Sequence, residues 1–187
     1  MHWAKEKQKV RWDWARCRKE CVPSLPQNTK RNNMEDNGPV LNAHNKAEYP
    51  PAHTAEHILN QTMVRMFGCE RSRNTHIERK KSKLDYPLAV CPTQEQIAAI
   101  EAKVNEVISQ HLPVTTSYMA REEAARHFDL KKLPEDASDT LRIVYVGDYD
   151  ACPCLGTHVS NTEEIGAFRI SSTRYADGIF RIVFRLG

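Results

Sequence analysis

Apolar side chains recur at helical spacing in two stretches of this 187-residue chain and alternate with polar ones in several others. Over 52–67, Ile58, Leu59, Thr62, Met63, Met66 and Phe67 can form one side of a helix, with Met63 and Met66 read as core. Gly68 ends that helix, since glycine accepts the left-handed conformation at a helix stop. A longer helix over 93–111 starts at Pro92 and Thr93. Ile97, Ile100, Val104, Val107 and Ile108 make its buried stripe, while Glu95, Glu101, Lys103 and Glu106 face water. Between the helices, 69–90 reads as short strands and turns. Pro113 breaks the second helix; 114–118 fits a strand, 121–128 a short helix and 133–140 a loop. Leu141-Arg142-Ile143-Val144-Tyr145-Val146 is a strong strand, stopped by Gly147 and Asp148. Two further strands, 165–172 and 178–186, read as an antiparallel hairpin joined at Tyr175-Ala176-Asp177-Gly178. Two main helices with mainly antiparallel strands predict an α+β domain, the long helix serving as scaffold.

The first residues follow no such pattern, and their charge changes the picture. Residues 1–33 hold nine basic and three acidic side chains, net +6, so the rest of the chain is net −3 although the total is +3. Lys and Arg there alternate with Trp3, Trp12 and Trp14, which suits a nucleic-acid arm, where cations meet phosphates and indoles stack on bases. A solvated tail, or an upstream extension read from a misassigned start, accounts for the same residues. Asn37-Gly38-Pro39 marks a turn, and Tyr49-Pro50-Pro51 stops the chain before the first helix. The expected organisation is a basic, poorly ordered extension and linker over 1–48, followed by a single domain over 49–187. No apolar run approaches the roughly 18 residues of a membrane span, and the charged start lacks a signal segment, which predicts a cytoplasmic protein. The six cysteines then read as reduced thiols rather than a disulfide framework.

Candidate chemistry enters with His53 and His57. Four residues apart on a helix, both imidazoles point the same way and can hold one metal ion between them. Cys154 and His158 have the same offset just beyond the strong strand, so the four together form a nitrogen and thiolate set suited to tetrahedral zinc, one ion per chain. Cys17 and Cys21 repeat the spacing, but only His2 lies near them, and no second site is expected. Four protein ligands usually close a structural site; catalysis needs a loose ligand, expansion to five-coordination, or water activation by other groups. Two carboxylates are candidate proton handlers. Glu56 adjoins His57 in a His-x-x-Glu-His run, which is also the inverted metallopeptidase pattern. Asp150 precedes the cysteine, where it can move a proton, orient a ligand histidine through its second nitrogen, or cap a turn. Arg71, Arg73, Arg79, Lys80, Lys81 and Lys83 form the densest basic cluster of an otherwise acidic body, read either as a solvated hairpin or as a polyanion contact.

His-Thr-Ala-Glu-His-Ile-Leu at 53–59, with Cys-x-Gly-Thr-His-Val at 154–159, resembles the editing domain of alanyl-tRNA synthetase and its freestanding relatives, which is similar in turn to the second N-terminal domain of threonyl-tRNA synthetase. The resemblance runs from about 49 to 187 and includes Asn161-Thr162-Glu163-Glu164-Ile165-Gly166 and the closing Gly178, Arg181 and Ile182. It implies an editing-domain-like fold and a zinc-dependent deacylase acting in trans, hydrolysing the ester between a wrong amino acid and tRNA, typically serine or glycine on alanine tRNA. By match to the motifs, His53, His57, Cys154 and His158 are the metal ligands, and Thr54 and Thr157 line the amino-acid pocket. Arg79, Lys80 and Lys81 then face the tRNA acceptor end; neither a membrane nor DNA is an expected partner. One departure is plain: Leu155-Gly156 replaces the usual paired glycines, which stiffens that loop. A non-catalytic zinc-stabilised RNA-binding module and a His-x-x-Glu-His metallopeptidase are the competing readings.

Overall fold

The computed structural model describes residues 49–130 and 138–187. The extension over 1–48, with its tryptophans and Cys17 and Cys21, and most of the expected 133–140 loop lie outside the described residues. Helix α1 (Pro50–Phe67) starts two residues before the apolar pattern does, because prolines at the first helical positions surrender only amide protons that have no intrahelical partner. Gly68 closes it in the left-handed conformation (φ 64°), its N–H donating to the Val64 carbonyl. Every residue of α1 from 52 to 60 is buried. One side, with Ile58, Leu59 and Met63, enters the core; the side carrying the histidines lies against the strand and loop over 150–159. Met66, expected inside, is 39% exposed, since α1 leaves the core in its last turn.

Helix α2 (Gln94–Ser109) opens on a capping box between Thr93 and Gln96. Its expected stripe is buried at Ile100, Val104, Val107 and Ile108. Glu101 departs from the expectation that it faces water: its Oε2 accepts the Ile170 N–H at 2.6 Å and ties α2 to the sheet.

Four antiparallel strands make the larger sheet in the order β1-β2-β7-β6: β1 (Asn74–His76), β2 (Ser82–Pro87), β6 (Phe168–Ala176) and β7 (Ile179–Leu186). Leu84, Tyr86, Phe180, Ile182 and Phe184 line its inner face and pack with α1 and α2; burial of each of the four hydrocarbon side chains among them contributes roughly 1.5–3 kcal/mol. The hairpin strand β6 starts at Phe168 rather than near 165, because Thr162–Ile165 forms a short 3-10 turn capped by Asn161.

The remaining strands form a second sheet, β3-β4-β5, also antiparallel: β3 (Val114–Ala120), β4 (Thr140–Val146) and β5 (Asp150–Pro153). Helix α3 (Arg121–His127) covers a small core of Ala124, Leu141 and Ile143 on it. Asp150-Ala151-Cys152-Pro153 lacks strand composition; pairing to β4 through the tight Gly147 turn (φ 50°) makes it one. The architecture is α+β with antiparallel sheets, as the pattern predicts. No helix among the described residues is long and apolar enough to cross a membrane.

Across the larger sheet, Arg181 forks onto both oxygens of Asp85 at 2.6 Å each, and this holds the Asp85 carboxyl below its usual value. A carboxyl depressed on folding stabilises the fold above its unfolded pKa, near 4, and that stability is lost as pH falls through the folded value. Asp85→Asn is therefore expected to destabilise the domain at pH 7 by no more than about 1 kcal/mol, since Arg181 is solvent-screened, and by nothing resolvable once pH is well below 4. Urea melts of both proteins at the two pH values check this; an equal loss at both would contradict it.

Candidate metal centre

The ligand helix delivers His53 and His57 one turn apart, and β5 ends just before Cys154, so the loop carrying Cys154 and His158 folds back onto α1. One ligand atom from each of the four lies within 4.8 Å of every other, a cluster capable of holding a metal ion. His53 Nε2 and His158 Nε2 stand 3.4 and 3.5 Å from Cys154 Sγ. Tetrahedral bonds of about 2.0 Å to nitrogen and 2.3 Å to sulfur put those atoms about 3.5 Å apart, so the donor set fits zinc in spacing and in chemistry.

The outer nitrogens of two imidazoles are hydrogen-bonded, and the third faces a carboxylate. His53 Nδ1 donates to the Thr157 carbonyl at 3.2 Å. His158 Nδ1 lies 3.1 Å from Thr54 Oγ1, whose own proton goes to the Pro50 carbonyl, so the imidazole must donate. His57 Nδ1 lies 3.2 Å from Asp150 Oδ2, an ion-pair distance without hydrogen-bond alignment, and a carboxylate there again demands N–H at Nδ1. All three rings therefore turn Nε2 to the centre, the tautomer that metal ligation requires.

Charge at the centre agrees. Burial works against a thiolate at Cys154, yet bonds from His158, His53 and His57 pull its pKa far below the ordinary thiol value. Burial also opposes charge on His53 and His57, but Cys154 raises the first, and Asp150 with Cys154 raises the second well above normal. His158, desolvated and repelled by the other two rings, is brought down to about 4. The thiolate thus draws positive charge onto Nε2 atoms, and protons and a metal ion compete for the same lone pairs.

Behind the ligands stands a group the sequence assigned elsewhere. Arg71, read as one cation of the polyanion cluster, forks onto Asp150 at 2.6 and 3.1 Å. Burial disfavours the Asp150 carboxylate, but Arg71 and His57 hold its pKa well below the usual range. Asp150 is 3% exposed and lies between Arg71 and His57, the placement of a residue that orients a ligand. Glu56 lies nearer the ligand atoms: Oε2 is 3.9 Å from the Nε2 of both His53 and His57, while Oε1 accepts from Asn60, which in turn accepts the Ser72 N–H. Thr54 is fully buried with its hydroxyl engaged by Pro50, His158 and Val159, and Thr157 reaches the cluster through its carbonyl while its residue is exposed. Arg79, Lys80 and Lys81 are exposed and line one groove with Arg185 and Leu186.

Three of these partners escaped sequence reading. Asn60 was the most accessible, four residues after Glu56 on the same helical face. Arg142, which donates to the Leu155 and Gly156 carbonyls at 2.8 Å and so shapes the ligand loop, and Arg71 carry no local signal, because their partners are remote in sequence.

Residues 141–183 match the family model of the threonyl and alanyl tRNA synthetase second additional domain. The chain is 30% identical over 152 residues to an alanine–tRNA ligase of Methanococcus maripaludis, an alignment covering 79% of this chain and 17% of that protein. Identity is 35% over 132 residues with the alanine–tRNA ligase of Fervidobacterium nodosum, covering 70% of this chain and 15% of the ligase. With that of Halorhodospira halophila it is 33% over 138 residues. The chain thus spans only 15–17% of the length of these curated relatives. The family resemblance carried by the paired motifs is borne out.

Proposed function

From a chain that carries the threonyl and alanyl tRNA synthetase second additional domain at residues 141–183, we propose a zinc-dependent hydrolase that deacylates mischarged tRNA in trans, with serine or glycine on alanine tRNA as substrate. The observation that carries this reading is the convergence of three imidazoles and one thiolate, with the Nδ1 of His53 and His158 hydrogen-bonded elsewhere and that of His57 facing Asp150. A zinc ion held by His53, His57, Cys154 and His158 supplies Lewis acidity for ester hydrolysis.

The chain's own residues divide the remaining work. Glu56, one oxygen anchored by Asn60, offers Oε2 beside the ligands as the atom that accepts a proton from attacking water. Asp150, held by Arg71, is the positioning residue that keeps His57 Nδ1 protonated and its Nε2 turned inward. Arg79, Lys80 and Lys81 meet the acceptor-end phosphates.

Two features weigh against the rival readings. The ligand loop has protein hydrogen bonds of its own: Cys154 N–H donates to the Arg142 carbonyl, Arg142 clamps two loop carbonyls, and Val159 N–H reaches Thr54. A zinc-stabilised module needs the ion to hold such a loop. A metallopeptidase of the His-x-x-Glu-His type takes a downstream carboxylate as its third ligand, whereas here the histidine pair clusters with Cys154 and His158.

Purified protein incubated with seryl-, glycyl- and alanyl-tRNA, with and without chelator, tests the reading. Release of serine or glycine, abolished by chelator and restored by zinc while alanyl-tRNA is spared, is the expected result. No release from any mischarged tRNA at micromolar protein defeats it.

A further inference from the structure

On the outer face of the larger sheet, cations oppose one another where a sheet gains most from neutral or alternating pairs. In the β6–β7 register Arg169 lies directly opposite Arg185, and Arg174 opposite Arg181. Like charges in such pairs destabilise a sheet. Asp85 forks onto Arg181 and also feels the charge of Lys83; among the described residues, Arg169, Arg174 and Arg185 are exposed and have no carboxylate at ion-pair distance. Lys83, opposite Val183, is exposed on the same face. Fold stability does not account for this arrangement, but an anionic partner does.

The cations are continuous with the site. Ser82 pairs with Phe184, so extending the register one residue sets Lys81 beside Arg185 and makes a row of Lys81, Arg185 and Arg169 across three strands. Arg79, Lys80, Lys81 and Arg185 line one open groove. The Arg79 guanidinium lies 5.5 Å from the centre of the Tyr49 ring, and the Tyr49 carbonyl accepts the His53 N–H. A positive track therefore leads from the start of the ligand helix onto the sheet.

We infer that this outer sheet face docks the phosphodiester backbone of RNA, with Arg169, Arg174, Arg185 and Lys83 as its phosphate contacts. The inference rests on the deacylase reading for the identity of the polyanion. The two arginine pairs stand four residues apart along β7, roughly 13 Å at the usual strand rise, too far for a single phosphate and long enough to span several along a backbone. From Arg181 to Arg185 the outward positions hold one apolar residue, the half-buried Val183, and no aromatic ring. Bases find no stacking platform there, and Ile179, 39% exposed at the next outward position, is one apolar side chain rather than a wedge for a bilayer, so a paired stem read through its backbone fits best. Residues 1–33 carry net +6, the same sign as the face, so their charge is no complement to it.

The test uses the full chain with R169Q/R185Q and uncharged tRNA as the probe, measured over a salt series. Affinity is expected to fall about tenfold near physiological salt, and the slope of log affinity against log salt to become shallower by about 2. The thermal midpoint should stay or rise, because a repulsive pair is removed, and R169K/R185K should keep both affinity and slope. A folded R169Q/R185Q protein with unchanged affinity and slope overturns the inference. So does loss of binding to phosphatidylserine vesicles with tRNA binding intact, which reassigns the face to a membrane. Because uncharged tRNA reports binding without turnover, the two readings fail separately. Deacylation with unaltered tRNA binding in the variant refutes only the docking face; arginine-dependent tRNA binding without amino-acid release refutes only the deacylase.

Discussion

Replacing Cys154 by serine is expected to lower zinc content to near zero and to reduce deacylation of mischarged tRNA by more than about 100-fold, beyond the loss typical when a mere partner of a metal ligand is removed. Cys154 is the sulfur toward which His53 and His158 turn Nε2, and its thiolate is the only anionic donor of the four. The same variant is expected to melt within a few degrees of the parent. The loop keeps its bonds from Arg142 and Thr54, neither of which uses the thiol. Metal analysis, single-turnover deacylation and a thermal melt on one preparation check all three outcomes. A variant that unfolds outright favours the zinc-stabilised module; one that retains full activity removes Cys154 from the site.

Arg71→Ala is expected to act at a distance and in two ways. Asp150 is left as a buried carboxylate with one of its two cationic partners gone, which destabilises the domain by about 3 kcal/mol, since an uncompensated buried charge is the usual source of such losses. For a domain of this size that lowers the melting midpoint by roughly 10 °C. His57 also loses the fixed carboxylate at Nδ1, and zinc affinity is expected to fall by about 10- to 100-fold. R71A/D150N should recover much of the stability by removing the stranded charge, but not the zinc affinity. The salt dependence of tRNA binding should stay unchanged, because Arg71 spends its charge on Asp150. Equal stability of R71A and parent would show that the fork does not carry this load; a shallower salt slope would return Arg71 to the phosphate-contacting cluster.

Arg71 marks where the sequence stops being informative. It stands in a run with Arg73, Arg79, Lys80, Lys81 and Lys83, and charge alone groups them. Only the fold separates an arginine that faces a buried aspartate 79 residues away from lysines that face water. The same limit applies to the arginine pairs on the outer sheet face. Arg169, Arg174, Arg181 and Arg185 are unremarkable along the chain, and become opposed pairs once β6 and β7 adopt their register with a bulge near Ser171.

What the sequence determined by itself is whatever local periodicity controls. Helical spacing specified both long helices, placed His53 and His57 on one helical face, and set Cys154 and His158 at a matching offset. Strand alternation and turn residues specified β4 and the β6–β7 hairpin. Tertiary structure decided what depends on contacts between distant segments. Pairing to β4 turned Asp150-Ala151-Cys152-Pro153 into a strand against its composition, and α1 became buried on both sides because a second sheet and its loop cover the histidine face. It also oriented the imidazoles, since Thr157, Asp150 and Thr54 select their tautomers, and two of those partners come from chain about a hundred residues downstream. Propensity and spacing act over a few residues, whereas a metal centre closes a loop across the whole domain. The sequence could therefore name the candidate ligands, but not show what aims them.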